Sequence, residues 1–184
     1  MNDLVVRSQA TAARFLDTPQ LADRWAHVRA VGARAAEIAD AVGIASPERE
    51  LITAAGVLHD VGYAPDLAVT GFHPLDGARF LQDAGFPARL VALVAHHSGA
   101  RFEAAERGLL AELETFPLED GTAMDILVAA DLTTGPRGQR LTFQQRFDDI
   151  LVRYPPDSVV HRAITRAQPV LAAHLERLGL PVTR

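Results

Sequence analysis

Apolar residues recur along most of the chain at spacings of three and four, the pattern of helices that bury one face. The clearest example follows Thr18-Pro19, an N-cap residue and a proline suited to the first turn, and it ends at Gly43. Its apolar positions are Leu21, Trp25, Val28, Val31, Ala35, Ile38 and Val42. This spacing predicts one long amphipathic helix.

The same periodicity predicts a series of further helices. They start at Ser46-Pro47-Glu48, His73-Pro74, Pro87, residue 101, Thr122, Thr142 and about Asp157. Thr142 and Gln145 have the spacing of a capping box, and Pro169 is expected to kink the last helix, which ends near Leu178. Residues 101 to 114 form a less regular helix in this prediction.

Only the segment Leu4 to Val6 resembles a strand, and three residues do not make a sheet. We therefore predict an all-α fold, a bundle of about eight helices. The length of 184 residues suits a single domain over residues 1–184, with the helices of residues 140–180 as part of it.

Composition narrows the range of functions. The net charge of −5 implies no general attraction to nucleic acid polymers or anionic membranes, so a phosphorylated ligand would need a local source of positive charge. The chain has no Cys, which excludes disulfides and thiolate metal sites. No signal peptide and no apolar run of membrane-spanning length is evident, so a cytoplasmic location is expected.

Histidine and aspartate residues lie on helices that are otherwise apolar. A bare imidazole or carboxylate is costly to bury, and a shared metal centre would satisfy several of them at once. His161 and His174, in the last helix, are interpreted as ordinary structural residues. The candidate ligands are His27, His59, Asp60, His73, His96, His97 and Asp131.

The adjacent pair His59-Asp60 suits a centre with more than one ion. Helix neighbours point about 100° apart, so both can face one cavity only at its edge. The imidazole can bind one ion, and the two carboxylate oxygens can bridge that ion to a second. Nitrogen and oxygen ligands without sulfur favour Mn, Fe, Co, Ni, Zn or Mg.

The order of these histidines and aspartates along the predicted helices resembles that of the HD superfamily of metal-dependent phosphohydrolases. The resemblance covers roughly residues 20 to 135. The segments that carry the resemblance are Trp25-Ala26-His27-Val28, Leu58-His59-Asp60-Val61-Gly62 and Ala129-Ala130-Asp131. The resemblance implies an HD-type bundle in which His27, His59, Asp60 and Asp131 hold the first metal ion. It further implies a second ion bridged by Asp60 and completed by His73 and His96, with His97 as an additional ligand.

Two further segments, one that contains His73 and one that contains His96-His97, fit the dinuclear branches of this superfamily. These branches include diadenosine-polyphosphate hydrolases, cyclic-dinucleotide phosphodiesterases and a few di-iron oxygenases. The chain departs from the cyclic-dinucleotide branch at Ser98 to Phe102, where the Gly-Tyr-Pro signature is missing. Tyr63 stands where a phosphate-binding lysine is common. Candidate phosphate-binding arginines are Arg24, Arg101, Arg107 and Arg137, with Arg101 favoured because it follows the His96-His97 helix end.

The resemblance implies hydrolysis of a small phosphorylated molecule, such as a nucleotide, by a metal-activated hydroxide. One or two divalent ions would serve as cofactors, with Asp60, Asp131 and Arg101 as catalytic residues. Two alternatives stay open: a di-iron oxygenase on the same HD scaffold, and a nucleotide-binding sensor without turnover. A homodimer is also left open.

Overall fold

A computed structural model describes residues 3–182, which form ten α-helices and no strand. None of the described helices is long and apolar enough to cross a membrane. The helices are α1 (Asp3–Leu16), α2 (Ala22–Ala41), α3 (Glu48–Leu58), α4 (His73–Asp83), α5 (Ala88–His96), α6 (Ala100–Arg107), α7 (Leu110–Leu113), α8 (Thr122–Leu132), α9 (Phe143–Arg153) and α10 (Val159–Arg177).

The all-α prediction is confirmed, and two local predictions were wrong. The segment Leu4 to Val6 is part of α1, because Ala12 and Leu16 bury the face of a helix that packs against α3. This packing outweighs the weak strand preference of three residues. Residues 101 to 114 form two helices instead of one, because Gly108 ends α6 in a left-handed conformation at φ 73°.

Helix boundaries elsewhere follow the predicted signals closely. Thr142 accepts a hydrogen bond from the backbone N–H of Gln145, whose side chain accepts one from the N–H of Thr142 in return, so the capping box is present. The last helix begins after Ser158 and continues through Pro169. Pro19 lies in a short 3-10 turn, and α2 itself begins at Ala22.

The centre of the bundle is the packing of α2 against α3 and α8. Gly32 and Gly56 lie where α2 and α3 meet, and a Cβ atom on Gly56 would come within 3.1 Å of the Gly32 Cα atom. The two helices can therefore approach closely enough to bring polar residues of α2 and of the end of α3 into one cavity. On the far side, α10 packs against α6 and α8.

The chain turns sharply after α3, and Gly62 allows the turn to touch α4. A Cβ atom on Gly62 would lie 2.1 Å from the carbonyl oxygen of His73 and 2.6 Å from the backbone nitrogen of Gly77. These neighbours are backbone atoms, which cannot rotate away as a side chain can. The position of His73 relative to His59 and Asp60 thus depends on the absence of a side chain at Gly62.

We expect Gly62→Ala to destabilise the protein by about 2–3 kcal/mol, since it forces a methyl group into the backbone of α4. Gly135→Ala is the matched control, because there the added methyl meets only the end of the exposed Gln139 side chain. Urea denaturation of both variants measures the difference. Equal midpoints for the two variants would contradict a rigid contact between the turn and α4.

Candidate metal centre

Polar side chains on or next to five helices lie close together in the interior of the bundle. His27 comes from the second turn of α2, while His59 and Asp60 follow the last residue of α3. The other contributions come from the first residue of α4, the turn after α5 and the end of α8. These are His73, His97 and Asp131. All of these side chains are buried except that of His73, which is partly exposed.

One group of ligand atoms gathers between α2, α3 and α8. The Nε2 atom of His27 lies 3.1 Å from Oδ1 of Asp131 and 3.8 Å from Oδ2 of Asp60. The Nε2 atom of His59 lies 3.4 Å from that same Asp60 oxygen and 3.8 Å from Oδ1 of Asp131. With metal–ligand bonds of about 2.0–2.2 Å, four such atoms can share one ion.

A second group lies on the other side of Asp60. Its Oδ1 atom is 3.2 Å from Nε2 of His73 and 3.8 Å from Nε2 of His97. The Nε2 atoms of these two histidines are themselves 3.3 Å apart. The two oxygens of Asp60 therefore face two different sets of histidines, as a bridging carboxylate must.

Hydrogen bonds to the backbone fix the orientation of three imidazoles. In each ring the Nδ1–H donates to a carbonyl oxygen, so Nε2 is the ring nitrogen that faces the cluster. His59 Nε2 is buried and has no hydrogen-bond partner. A buried ring nitrogen without a partner fits a metal ligand. The carbonyl partners are Gly135 for His27 at 3.0 Å, Gly56 for His59 at 2.7 Å and Val94 for His97 at 2.6 Å.

The charge state of Asp60 suits cation binding. Burial alone would raise the pKa of the Asp60 carboxyl, but Arg24 and His59 hold it well below its usual value. Burial alone would likewise lower the pKa of His59, yet Asp60 raises it. A proton and a metal ion therefore compete for Nε2 of His59.

Asp131 and His97 complete this charge pattern. Burial would raise the pKa of Asp131, and the hydrogen bond from His27 brings it far below the usual range. Burial lowers the pKa of His97 to about 3, and the neighbouring His59 and His73 contribute in the same direction. His97 thus stays neutral near pH 7, the form that a metal ion requires.

Two arginines adjoin the carboxylates. Arg24, on α2, forms an ion pair with Asp60, and its guanidinium carbon lies 4.0 Å from the centre of the Tyr63 ring. Tyr63 in turn stacks on His73, with ring centres 3.9 Å apart. Positive charge therefore comes from α2, while the tyrosine that replaces the expected lysine orients His73.

The other arginine, Arg146 on α9, was not among the residues that we proposed from the sequence. It is buried, its Nη2 atom lies 3.8 Å from Oδ1 of Asp131, and its Nε atom has no hydrogen-bond partner. The available signal was its position on the apolar face of α9, between Phe143 and Ile150. Ser98, which donates a hydrogen bond to Oδ2 of Asp131, was also missed.

The structure does not bring His96 or Arg101 to this cluster. The Nε2–H of His96 donates to the carbonyl oxygen of Phe116 at 2.9 Å, and the half-exposed Arg101 lies 3.6 Å from Glu114. Both line a different pocket. The reason is that α5 ends at His96, so the chain turns before His97 and the two rings point to opposite sides.

Comparison of the sequence with protein-family models identifies the family of this chain. A model described as the HD domain matches residues 24–130, more than half of the chain. The chain belongs to the HD-domain family. No curated protein and no solved structure matches it significantly. HD domains bind divalent metal ions and make up a superfamily of metal-dependent phosphohydrolases, and the buried groups of histidine and aspartate in this chain could hold such an ion.

The adjacent histidines of this HD domain provide a matched pair for testing the ligands. We expect His97→Gln to lower the amount of metal retained after dialysis against Mn²⁺ or Co²⁺, because it removes an Nε2 ligand from the second group. His96→Gln should retain as much metal as the wild type, since the glutamine amide can also donate to Phe116. Elemental analysis measures the metal content. Loss of metal in His96→Gln alone would instead support His96 as the ligand.

Removal of metal should lower the melting temperature of the protein. An ion present at a thousand times its dissociation constant stabilises the folded state by about 4 kcal/mol, which corresponds to a shift of roughly 10 °C for a chain of this size. The shift should shrink as the pH falls, because protonation of His59 competes with the ion. Thermal melts with and without chelator at several pH values test this. Asp131→Asn is the control, and a full shift in that variant would argue against this site.

Proposed function

We propose that this protein hydrolyses a phosphate ester of a small molecule at a centre of two divalent metal ions. The observation that carries the proposal is Asp60, a buried carboxylate whose two oxygens face separate sets of imidazole nitrogens. Membership of the HD-domain family supports the same reaction class.

The ligands divide into two sets that share Asp60. His27, His59 and Asp131 would hold one ion with it, and His73 and His97 would hold the other. Divalent ions held in this way supply Lewis acidity to phosphoryl oxygens and lower the pKa of water toward neutrality. The protein's part is to keep both carboxyls ionised and the imidazole lone pairs directed inward.

Binding of the phosphoryl group falls to Arg24 and Arg146 in this proposal. Both line the pocket in front of Asp60, together with His73, His97 and Asp131. Because the chain carries a net charge of −5, a phosphate ester depends on such local cations. The guanidinium of Arg146 lines this pocket, with Nη2 3.8 Å from Oδ1 of Asp131, so it is placed beside a carboxylate that would hold a metal ion.

No side chain at the site is arranged as a covalent nucleophile. The chain has no cysteine, and Asp131, the carboxylate to which Ser98 donates, would be held by a metal ion and could not serve as a base for that hydroxyl. Direct transfer of the phosphoryl group to water therefore suits this site better than a phosphorylated protein intermediate. The nucleotide substrate implied by the family resemblance remains a prediction.

The decisive experiment uses protein loaded with Mn²⁺ in the absence of oxygen. We expect release of inorganic phosphate from at least one ester in a broad panel, since hydrolysis requires no change of redox state. Asp60→Ala should abolish release because it removes the shared ligand. Turnover that requires iron and dioxygen together would instead support the oxygenase alternative, and binding without any turnover would support a sensor.

Two arginine variants separate the residues that could bind phosphate. We expect Arg146→Gln to lower kcat/KM by about 10²-fold, as expected for loss of a buried donor to the transition state. Arg101→Gln should change kcat/KM by less than about twofold, as is usual for an exposed ion pair. Steady-state kinetics with the best ester of the panel measures both. The reverse order of effects would restore Arg101 as the catalytic arginine.

A further inference from the structure

The pocket in front of Asp60 has two unlike sides. One side carries the candidate metal ligands and the arginines. The other is formed by the end of α9, the start of α10 and the residues between them. The side chains on that second wall are Ile150, Arg153, Tyr154, Val160, Ala163, Ile164 and Ala167.

The part of this wall on α10 offers very little to a polar ligand, and Arg153 at the end of α9 already donates to Asp149. Three of its positions on α10, Val160, Ala163 and Ile164, carry only aliphatic side chains. Sugar hydroxyls or base amides placed against such a wall would lose hydrogen bonds to water without replacement, which is costly. An aliphatic group in the same place would gain from leaving water.

The pocket is also small. Its volume is about 110 Å³. At about 10–15 Å³ for each water-sized group, it holds roughly seven to eleven non-hydrogen atoms. A phosphate group accounts for about half of these atoms, so space remains for a short carbon chain. A nucleoside monophosphate is more than twice this size and would extend into solvent.

We propose that the preferred substrate is a phosphate monoester of a short apolar alcohol, with about four carbons, whose chain lies against the wall formed by α9 and α10. This inference rests on the proposed function, because the phosphate end has to lie at the metal ligands and arginines. The substrate is smaller and less polar than the nucleotide implied by the family resemblance.

Binding of alkylphosphonates to the Mn²⁺-loaded protein tests the wall without requiring turnover. Calorimetry should show the dissociation constant falling about three- to fourfold per methylene from methylphosphonate to butylphosphonate, close to the full hydrophobic gain per buried methylene. From butyl to octyl it should fall by less than about threefold in total, because the added carbons lie outside the pocket. A phosphonate analogue of a nucleoside monophosphate should bind more weakly than butylphosphonate.

Two variants of α10 show whether the wall is responsible. Ile164→Ala should weaken butylphosphonate binding by about fivefold and leave methylphosphonate binding within about twofold, because only the longer chain reaches Ile164. Val170→Ala is the matched control, since Val170 lies on the same helix, is 46% exposed and lines a different pocket. It should change neither constant.

The results separate this inference from the proposed hydrolysis. The wall is not a specificity element if butyl- and methylphosphonate bind within threefold of each other, if the nucleotide analogue binds more tightly than butylphosphonate, or if no phosphonate binds. Hydrolysis of esters can still hold in each of those cases. Conversely, the expected dependence on chain length in a protein that cleaves no ester would support the wall and overturn the hydrolase proposal.

Discussion

The architecture of this HD domain depends on one buried charge, the carboxylate of Asp60. An ionised carboxylate inside a protein is tolerated only when cations or hydrogen-bond donors surround it. Arg24 and two pairs of imidazoles fulfil that requirement, and they come from α2, α3, α4 and the turn after α5. The close approach of α2 to α3 at two glycines, and of the turn after α3 to α4 at Gly62, makes this arrangement possible.

The backbone decides which way the ligands face. Because His27, His59 and His97 each donate one N–H to a carbonyl oxygen, the remaining ring nitrogen faces the interior. Two of these carbonyls precede their own histidine by three residues, so the helix end that delivers the ring also orients it. Local geometry and candidate metal chemistry are thus set by the same hydrogen bonds.

Sequence reasoning went furthest where a polar residue interrupts an apolar helix. His27, His59, Asp60 and Asp131 are of this kind, because such residues need partners inside the bundle and the structure does bring them together. The choice between His96 and His97 depended on where α5 ends, and a boundary is uncertain by a residue or two in any sequence-based prediction.

Two other features, the arginine beside Asp131 and the conformation of residues 4–6, could not be predicted from the order of residues along the chain. Arg101 was favoured because it follows the His96-His97 pair, whereas Arg146 reaches the site only through the packing of α9 near α8. The strand expected at Leu4 to Val6 failed for a similar reason, since the burial of α1 against α3 is a tertiary effect.

The candidate metal ligands and the aliphatic wall of the pocket come from different parts of the sequence. Every candidate metal ligand lies at or before Asp131, whereas the aliphatic wall begins after it, on α9 and α10. The proposed metal ligands and the proposed selective wall therefore belong to consecutive stretches of chain, and Arg146 of α9 lies on the later one. A chimaera that exchanges only α10 with the corresponding helix of another HD protein would replace most of the aliphatic wall while keeping the candidate metal ligands and Arg146.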